Sequence, residues 1–263
     1  MTFQIAAVKY DIKEKITTET FNEYITPSGK ISESASAVNG LYVHKKALCR
    51  KDRSTGVLEP LLTKPCSVAL LSFVTWLLGI ADGDNTIDQR EAVNQVILAG
   101  YNNRSFDDHI FLHHCRQYLD PDLFCLIRRK IFTADVKSVL HNKGKLSQLF
   151  VQCGGNIELV SSLHDALNDC KALSTIVGVK GLTLETFVQA SVSLDYLQSR
   201  RTNPLLKANL ITETVAKLMP EQMTCEAYLQ MKDDELIEYL RKIGCKPNMI
   251  KCCLQKRQRF KKG

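Results

Sequence analysis

The sequence predicts an all-α protein with a large N-terminal part and a small C-terminal part. Apolar residues recur at helical spacing through most of the chain from residue 65 onward. Helix-start signals such as Asp120-Pro121-Asp122 and a helix-stop glycine at Gly244 bound several of these segments. A polar, proline-containing joint at residues 198–204 is the best candidate for a domain boundary.

Composition favours a folded protein with an anionic partner. The 263 residues are 44% hydrophobic and carry a formal charge of +7. From Asn203 onward there are 12 Lys and Arg against 7 Asp and Glu, so most of the excess lies near the C-terminus. Such an excess is typical of a surface that meets phosphate or lipid headgroups, and also of a solvated helix face.

Cysteine usage and hydropathy indicate a reducing compartment and no membrane span. The ten Cys are irregularly spaced, and the opening residues lack a secretory signal, so we expect free thiols. The longest uncharged run, residues 65–81, is interrupted by polar residues and glycine, which favours a buried core helix. Membrane contact, if present, is then peripheral.

The first sixty residues carry the weakest helical signals. Residues 3–16 alternate loosely and fit either a strand or a helix. Residues 18–24 predict a helix that stops at Pro27-Ser28-Gly29. Residues 31–43 are weakly helical, and residues 44–55 fit a charged loop or a helix end.

The rest of the chain is predicted to be helical. Residues 67–80 are apolar on nearly all sides, which is typical of the centre of a bundle. Pro121 suits a first helical position, where its missing N–H costs nothing, and Gly244 suits a C-cap. Further helices are predicted at residues 88–97, 106–118, 123–131, 134–141, 146–153, 157–173, 184–197, 206–218, 225–243 and 248–260.

Metal and catalytic sites are not expected. His109 and His113 would share a helix face, as zinc ligands do, but His114 and Cys115 point elsewhere and no second ligand pair follows. The acidic turn at residues 82–88 fails the stereochemistry of a calcium loop, and no nucleophile or phosphate-loop motif is present. The sequence therefore predicts no metal, no cofactor and no enzymatic activity.

Three basic runs are the candidates for anionic lipid or ribonucleoprotein binding. Each cation near an acidic membrane contributes roughly 1 kcal/mol, and many copies in a lattice would add avidity. The predicted binding residues are Lys45, Lys46, Arg50, Lys51 and Arg53; Arg128, Arg129 and Lys130; and Lys251, Lys256, Arg257, Arg259, Lys261 and Lys262.

Several short segments, in order, resemble one viral family. They are Ile25-Thr26-Pro27-Ser28-Gly29-Lys30-Ile31, Pro60-Leu61-Leu62-Thr63-Lys64, Thr202-Asn203-Pro204-Leu205-Leu206 with residues 216–223, and the basic ending at residues 255–261. Together these segments resemble orthomyxovirus (influenza-type) matrix proteins, at the distance of a thogotovirus-like genus.

The resemblance implies a fold and a function. It implies two packed helical bundles (about residues 15–88 and 105–198) within an N-terminal domain of residues 1–198, a linker at 199–206 with a hinge at Thr202, Asn203 and Pro204, and a helical C-terminal domain at 207–263. It implies a self-assembling shell under a viral envelope that bridges acidic membrane and viral ribonucleoprotein and meets glycoprotein tails. Its expected locations are the virion and the cytoplasm, plasma membrane and nucleus of the host.

The chain also departs from that family. Members of that family carry a basic helix and a basic triplet in the N-terminal region. The corresponding residues of this chain, 112–119 and 88–91, hold one Arg each, Arg116 and Arg90. The zinc-like Cys/His cluster of the family falls at residues 192–197, where this chain has neither residue, so no zinc is predicted.

Two alternatives stay open at the sequence level. An RNA-binding nucleoprotein of a segmented negative-strand virus would need a basic groove with stacking aromatics, and aromatics make up only 7% of the chain. A cellular adaptor is the other alternative, because residues 225–260 loosely resemble a sterile-alpha-motif bundle, with Leu229, Leu236, Leu240 and Ile243 at helical spacing.

Overall fold

The computed structural model describes residues 3–52, 55–83, 95–197, 205, 208, 210–219 and 223–262. The predicted hinge (Thr202, Asn203 and Pro204) and Arg53 lie outside the described residues, as does the side chain of Lys262. The chain divides into two compact units, Met1–Val192 and Ser193–Gly263, which we call unit 1 and unit 2.

The all-α prediction is wrong for unit 1, which is a mixed α/β structure. Three small sheets with nine strands are present in the described part of the chain. The two helical bundles implied for the N-terminal region are therefore not observed, because strands occupy both of the predicted spans.

The first sheet is built on a long hairpin. Strand β1 (Gln4–Asp11) pairs antiparallel with β2 (Ile16–Ile25), whose other edge pairs parallel with the two-residue β6 (Thr63–Lys64). The predicted helix at residues 18–24 is a strand, because its β-branched and aromatic residues alternate and bury Phe21 and Ile25 on one face. Strand β1 ends this sheet.

The second sheet replaces the predicted charged loop. A short helix, α1 (Glu33–Asn39), is capped by Ser32 and ends at Gly40, whose φ of 69° suits glycine. The antiparallel strands β3 (Leu41–His44), β4 (Ala47–Lys51) and β5 (Leu58–Pro60) follow.

The third sheet contains a parallel pair. Strand β7 (Val96–Gly100) pairs with β8 (Ile131–Asp135) from Val96 opposite Ile131 to Gly100 opposite Asp135, and β9 (Val192–Ser193) follows β8 in the sheet order. The helices predicted at residues 88–97, 123–131, 134–141 and 184–197 are wrong where they overlap these strands, because the short apolar runs at β7 and β8 pair as parallel strands, of which β8 is mostly buried. Strand β7 ends this sheet.

Several predicted helices of unit 1 are confirmed. The apolar segment at 67–80 lies in α2 (Cys66–Gly83), which contacts the first and third sheets and buries Leu70, Phe73 and Leu77. Asp120 caps α4 (Pro121–Lys130) as predicted, with Pro121 as its first residue. The remaining helices are α3 (Asp107–Tyr118), α4 (Pro121–Lys130), α5 (Val136–Val139), α6 (Leu146–Gln152), α7 (Ala166–Val179) and α8 (Leu184–Ala190). No helix in the described ranges is long and apolar enough to cross a membrane.

Unit 2 is helical in its described residues and has its own core. The helices are α9 (Glu213–Leu218), α10 (Cys225–Gln230), α11 (Asp233–Lys242) and α12 (Pro247–Lys262). The predicted helix at 225–243 is broken between α10 and α11, whereas Gly244 follows α11 with a φ of 87°, as a C-cap glycine does. Tyr228, Leu236, Leu240 and Cys253 lie at the centre of the core.

Candidate functional site

The structure separates the predicted basic residues into structural and exposed ones. Lys45, Lys46 and Lys51 are exposed on or near the hairpin between β3 and β4. Arg50, in contrast, turns towards helix α7: its Nη2 lies 2.5 Å from Asp165 Oδ2 and donates to the Tyr24 hydroxyl at 2.8 Å. Arg50 therefore has a structural role within unit 1.

The C-terminal basic run is divided in the same way. Arg257 is only 2% exposed; it pairs with Asp233 at 2.9 Å and donates to the carbonyls of Leu229 and Met231. Lys256 donates to the Ile211 carbonyl at 3.3 Å. The exposed members are Lys251, Arg259 and Lys261.

The third basic run ends α4. Arg128 stacks over the Phe124 ring at 5.4 Å, and Arg129, which is exposed, donates to the Cys125 carbonyl and sulfur. Arg128 and Lys130 are half-buried. Basic residues in a last helical turn also complement the helix dipole, so this run has a structural role of its own.

A second constellation was not predicted from the sequence. Asp107 begins α3, just beyond the carboxyl end of β7, and Asp169 lies in the first turn of α7. The carboxyl ends of parallel strands are where α/β folds commonly bind ligands. We call Asp107 and Asp169 the carboxylate pair.

Buried polar contacts fix the Asp107 side of the pair. The adjacent Asp108 is buried and accepts hydrogen bonds from Asn103 Nδ2 at 2.9 Å and Thr133 Oγ1 at 3.0 Å. Thr133 belongs to β8, so these bonds hold the start of α3 against the third sheet. Burial is the main reason that the pKa of Asp108 is raised, although its hydrogen bonds partly offset the effect.

The Asp169 side is fixed by its own loop. Asp169 Oδ1 accepts a hydrogen bond from the backbone N–H of His164 at 3.0 Å, and His164 has a positive φ of 76°. Burial raises the pKa of Asp169, and the charge of His164 partly opposes this effect. Asp165 caps α7 by accepting from the N–H groups of Leu167 and Asn168.

The charge of Asp169 disfavours the ionised form of Asp107. The pKa of Asp107 is raised by burial, then by Asp108 and by Asp169. Asp107 is exposed as a residue, yet enough protein surrounds its carboxylate to raise that pKa. Burial likewise raises the pKa of Asp169, with Asp165 adding to the effect.

The same carboxylates also affect the neighbouring thiol of Cys170. The pKa of Cys170 is raised to about 12, first by burial and then by Asp169, Asp165 and Asp107. The thiol donates to the Ala6 carbonyl of β1 at 3.5 Å, so it is a structural group and is protonated at neutral pH.

Neither member of the carboxylate pair forms an ion pair with a Lys or Arg in the described part of the chain. Among the described residues no group of three or more His, Cys, Asp or Glu side chains is arranged to hold a metal ion. Phe106, immediately before Asp107, is 65% exposed, which is unusual for an aromatic residue.

The sequence did contain a signal for these residues, but a weak one. Acidic residues in a first helical turn are common because they favour the helix dipole, so Asp107 and Asp169 resemble ordinary helix starts. Recognising β7 as a parallel strand would have placed Asp107 after the carboxyl end of that strand, where α/β folds commonly bind ligands.

The chain matches no protein-family model, and no curated protein is similar to it at a significant level.

Proposed function

We propose that the carboxylate pair binds a divalent cation and that unit 1 hydrolyses phosphodiester bonds in nucleic acid. Two observations carry this proposal: burial, Asp108 and the charge of Asp169, on a second helix, raise the pKa of Asp107, and neither member of the carboxylate pair forms an ion pair with a described Lys or Arg. A carboxylate beside a like charge is costly to ionise unless a cation joins the two.

The chemistry of the two ligands favours magnesium or manganese. Carboxylate oxygens are preferred by hard cations, and Mg²⁺ is commonly bound by one or two carboxylates with water and substrate phosphates completing its shell. A cation held in this way stabilises the negative charge that develops on a phosphate during hydrolysis. The proposal therefore departs from the expectation that the protein is not an enzyme.

His164 is the candidate general base of the reaction. It lies next to Asp169, whose carboxylate its backbone N–H orients. In the proposed step the imidazole takes a proton from water as the water oxygen bonds to phosphorus. The bond between phosphorus and the leaving ester oxygen breaks, and that oxygen takes up a proton from solvent.

One feature favours nucleic acid as the substrate. The exposed ring of Phe106 adjoins Asp107, and an aromatic side chain in that position provides a stacking surface for an unpaired base.

The test is cleavage of a fluorescently labelled single-stranded oligonucleotide by the purified chain, with Mg²⁺, with Mn²⁺ and with EDTA. We expect cleavage that requires the metal and falls at least about 100-fold in Asp107→Asn, Asp169→Asn and His164→Ala. Asp122→Asn is the matched control, because Asp122 is an exposed carboxylate in the first turn of α4. Calorimetric titration should show Mn²⁺ binding that Asp169→Asn weakens and Asp122→Asn does not.

Metal-independent activity, or equal activity in Asp107→Asn and the Asp122 control, would show that the carboxylate pair is not the site. Absence of both cleavage and Mn²⁺ binding would overturn the proposal altogether.

The matrix-protein function remains a prediction, but the all-helical fold that the resemblance implied is not observed in unit 1. The feature that still favours it is the exposed Lys45-Lys46 hairpin, which would suit an acidic membrane. Co-sedimentation with phosphatidylserine vesicles at low and high salt, with imaging for an ordered coat, tests it. The expected partners and locations, and the nucleoprotein and adaptor alternatives, likewise remain predictions.

A further inference from the structure

Unit 2 has a surface groove between α11 and α12, which we call the α11–α12 groove. Its volume is about 490 Å³. The apolar side chains of its floor are those of Ile237, Cys245, Ile250 and Leu254. Cys245 and Ile250 belong to the buried core of the unit, and Ile237 and Leu254 pack against that core. The floor is therefore the outer surface of a packed core, which gives the groove a fixed shape.

The charged residues that line the groove are both positive. Arg241 lies in the last turn of α11 and Lys251 near the N-terminus of α12, so both lie at the end of the groove that adjoins the turn at Gly244. Both side chains are exposed, and neither forms an ion pair with a described residue. No Asp or Glu is among the described residues that line the groove, so its electrostatic potential favours an anionic partner.

The helix dipole does not account for the position of Lys251. Cations stabilise the C-terminus of a helix, and carboxylates stabilise its N-terminus. The first turn of α12 holds no acidic residue, and Lys251 follows in the next turn. The partial positive charge at the N-terminus of α12 therefore adds to the charge of Lys251 and does not offset it.

The face of α12 that lines the groove extends over about three helical turns. Its residues recur at helical spacing from Pro247 through Lys251 and Leu254 to Gln258. Pro247 and Gln258 are 11 positions apart, which corresponds to roughly 16 Å at ~1.5 Å per residue. Gln255 and Gln258, at the far end, are exposed and uncharged. The groove therefore has the length of a short helix and carries its cations at one end.

An acidic amphipathic helix fits these features. Helices commonly dock by placing an apolar stripe in a hydrophobic groove between two helices. Carboxylates beside that stripe would meet Arg241 and Lys251, and this complementarity favours an acidic helix over a basic one.

The lining residues favour a helix over nucleic acid. No aromatic residue is among the described residues that line the groove, so unpaired bases would find no stacking surface there. A phosphate backbone laid along the groove would also lose water over an apolar floor, which is costly for a charged group.

The shape of the groove favours a helix over a membrane. Membrane surfaces take up large apolar side chains that are exposed on the protein. The exposed large apolar residues of unit 2 in the described ranges, Leu218 and Phe260, do not line the groove. Cys245 and Ile250 of the floor are buried, so the apolar part of the groove is recessed from a flat bilayer.

We propose that the α11–α12 groove binds an amphipathic helix of a partner protein, with apolar anchors on the floor and Asp or Glu beside Arg241 and Lys251. This interaction goes beyond the proposed function and does not depend on it, because the groove lies in unit 2 and the carboxylate pair in unit 1.

The test uses the full chain and labelled synthetic peptides. The probe is an acetylated and amidated peptide of about 15 residues, built from Ala, Leu and Glu, with Leu at helical spacing and Glu on both sides of that stripe. A second peptide has Lys in place of every Glu. Fluorescence anisotropy measures the binding of each peptide to the wild type and to Arg241→Glu/Lys251→Glu. Lys242→Glu/Lys246→Glu is the matched control, because it reverses two exposed charges of unit 2 that do not line the groove.

We expect the wild type to bind the acidic peptide at least about tenfold more tightly than the basic peptide. Arg241→Glu/Lys251→Glu should reverse this preference, whereas the Lys242/Lys246 control should keep it. Both double variants change exposed residues and leave the floor of the groove intact. Equal binding of the two peptides, equal effects of the two double variants, or no binding of either peptide would overturn the proposal.

Other occupants of the groove give different results. Analytical ultracentrifugation of the chain alone tests for a second copy, and an oligomer that Arg241→Glu/Lys251→Glu dissociates but the acidic peptide does not would overturn the proposal. Co-sedimentation with phosphatidylserine vesicles tests for a membrane, and binding that is lost in the same variant but not displaced by the acidic peptide would also overturn it. Failure of the proposed function would abolish cleavage and leave peptide binding unchanged.

Discussion

Arg257 in unit 2 and the carboxylate pair in unit 1 have opposite electrostatic surroundings. In unit 2, Arg257 is almost fully buried, and an ion pair with Asp233, two backbone carbonyls and the Tyr228 ring surround its guanidinium. In unit 1, burial, Asp108 and the charge of Asp169 raise the pKa of Asp107, and neither member of the carboxylate pair forms an ion pair with a described Lys or Arg. The charge in unit 2 is part of the core, whereas the charges in unit 1 leave room for a ligand.

This difference shows how to separate structural from functional ionic groups. A buried charge that has its partners in place stabilises one conformation, and removing it leaves the partners unsatisfied. A group of like charges without partners lowers stability, and a chain keeps it only where the group has another use. Substitutions of the two kinds should therefore change stability in opposite directions.

The largest expected effect is on unit 2. Arg257→Ala removes the hydrogen bonds to two carbonyls and leaves a cavity, so we expect unit 2 to lose roughly 3–5 kcal/mol of its free energy of unfolding. Hydrogen exchange of the α11 and α12 amides in the full chain measures this loss. Arg259→Ala is the control, because Arg259 is exposed two residues further along α12. If these amides are equally protected from hydrogen exchange in Arg257→Ala and the wild type, Arg257 does not stabilise the core of unit 2.

An intermediate effect is expected at Asp165. Asp165→Ala removes both the α7 cap and the Arg50 ion pair, which together contribute roughly 2–4 kcal/mol to the stability of unit 1. Urea unfolding followed by the fluorescence of Trp76, the single tryptophan, reports on this unit. Asp165→Asn, which can still cap the helix, should lose less; equal losses would assign the whole effect to the ion pair.

Asp165 also gives this stability a defined pH dependence. Burial favours a higher pKa, but hydrogen bonds from Arg50, Gln4 and the Asn168 backbone outweigh it, so the pKa of Asp165 lies below its ordinary value of 3.8. The contribution is therefore fully present above about pH 3.8 and is lost as the pH falls through the lowered pKa. The difference between wild type and Asp165→Ala should shrink only in that acidic range.

The smallest expected effect has the opposite sign. Asp107→Asn removes a charge whose pKa is raised, so we expect unit 1 to become more stable at pH 7 by roughly 0.5 kcal/mol, since solvent screens an exposed carboxylate. Because the pKa in the folded protein exceeds 3.8, the gain should disappear as the pH falls through that pKa towards 3.8. Urea unfolding of Asp107→Asn at pH 7 and pH 4 measures this difference, and a loss of stability at pH 7 would contradict it.

Local signals in the sequence predict the helices well and the sheets poorly. Helix α2 and the caps at Asp120 and Gly244 follow from composition and from residues a few positions apart. The helix predicted at β2 is wrong because the pairing of that strand with β1 is decided by residues well separated in the chain, although the alternation of Phe21 and Ile25 is visible in the sequence.

The site was harder to predict for the same reason. Arg257 and Arg259 look alike in a basic run, and only the spacing of Ile250, Cys253 and Arg257 at helical intervals places one of them on the core face. Asp107 and Asp169 are 62 positions apart. Their approach depends on how β7, β8 and α7 assemble, which local spacing does not encode.

Strands β1 and β7 each end a sheet in the described part of the chain, and residues beside both of them, Ile12 and Tyr101, pack on one hydrophobic cluster. An edge strand presents a row of backbone N–H and C=O groups that an extended peptide can use for hydrogen bonds. Strands β1 and β7 are therefore described edge strands that border the elements of the carboxylate pair, since β1 contacts α7 and β7 precedes α3.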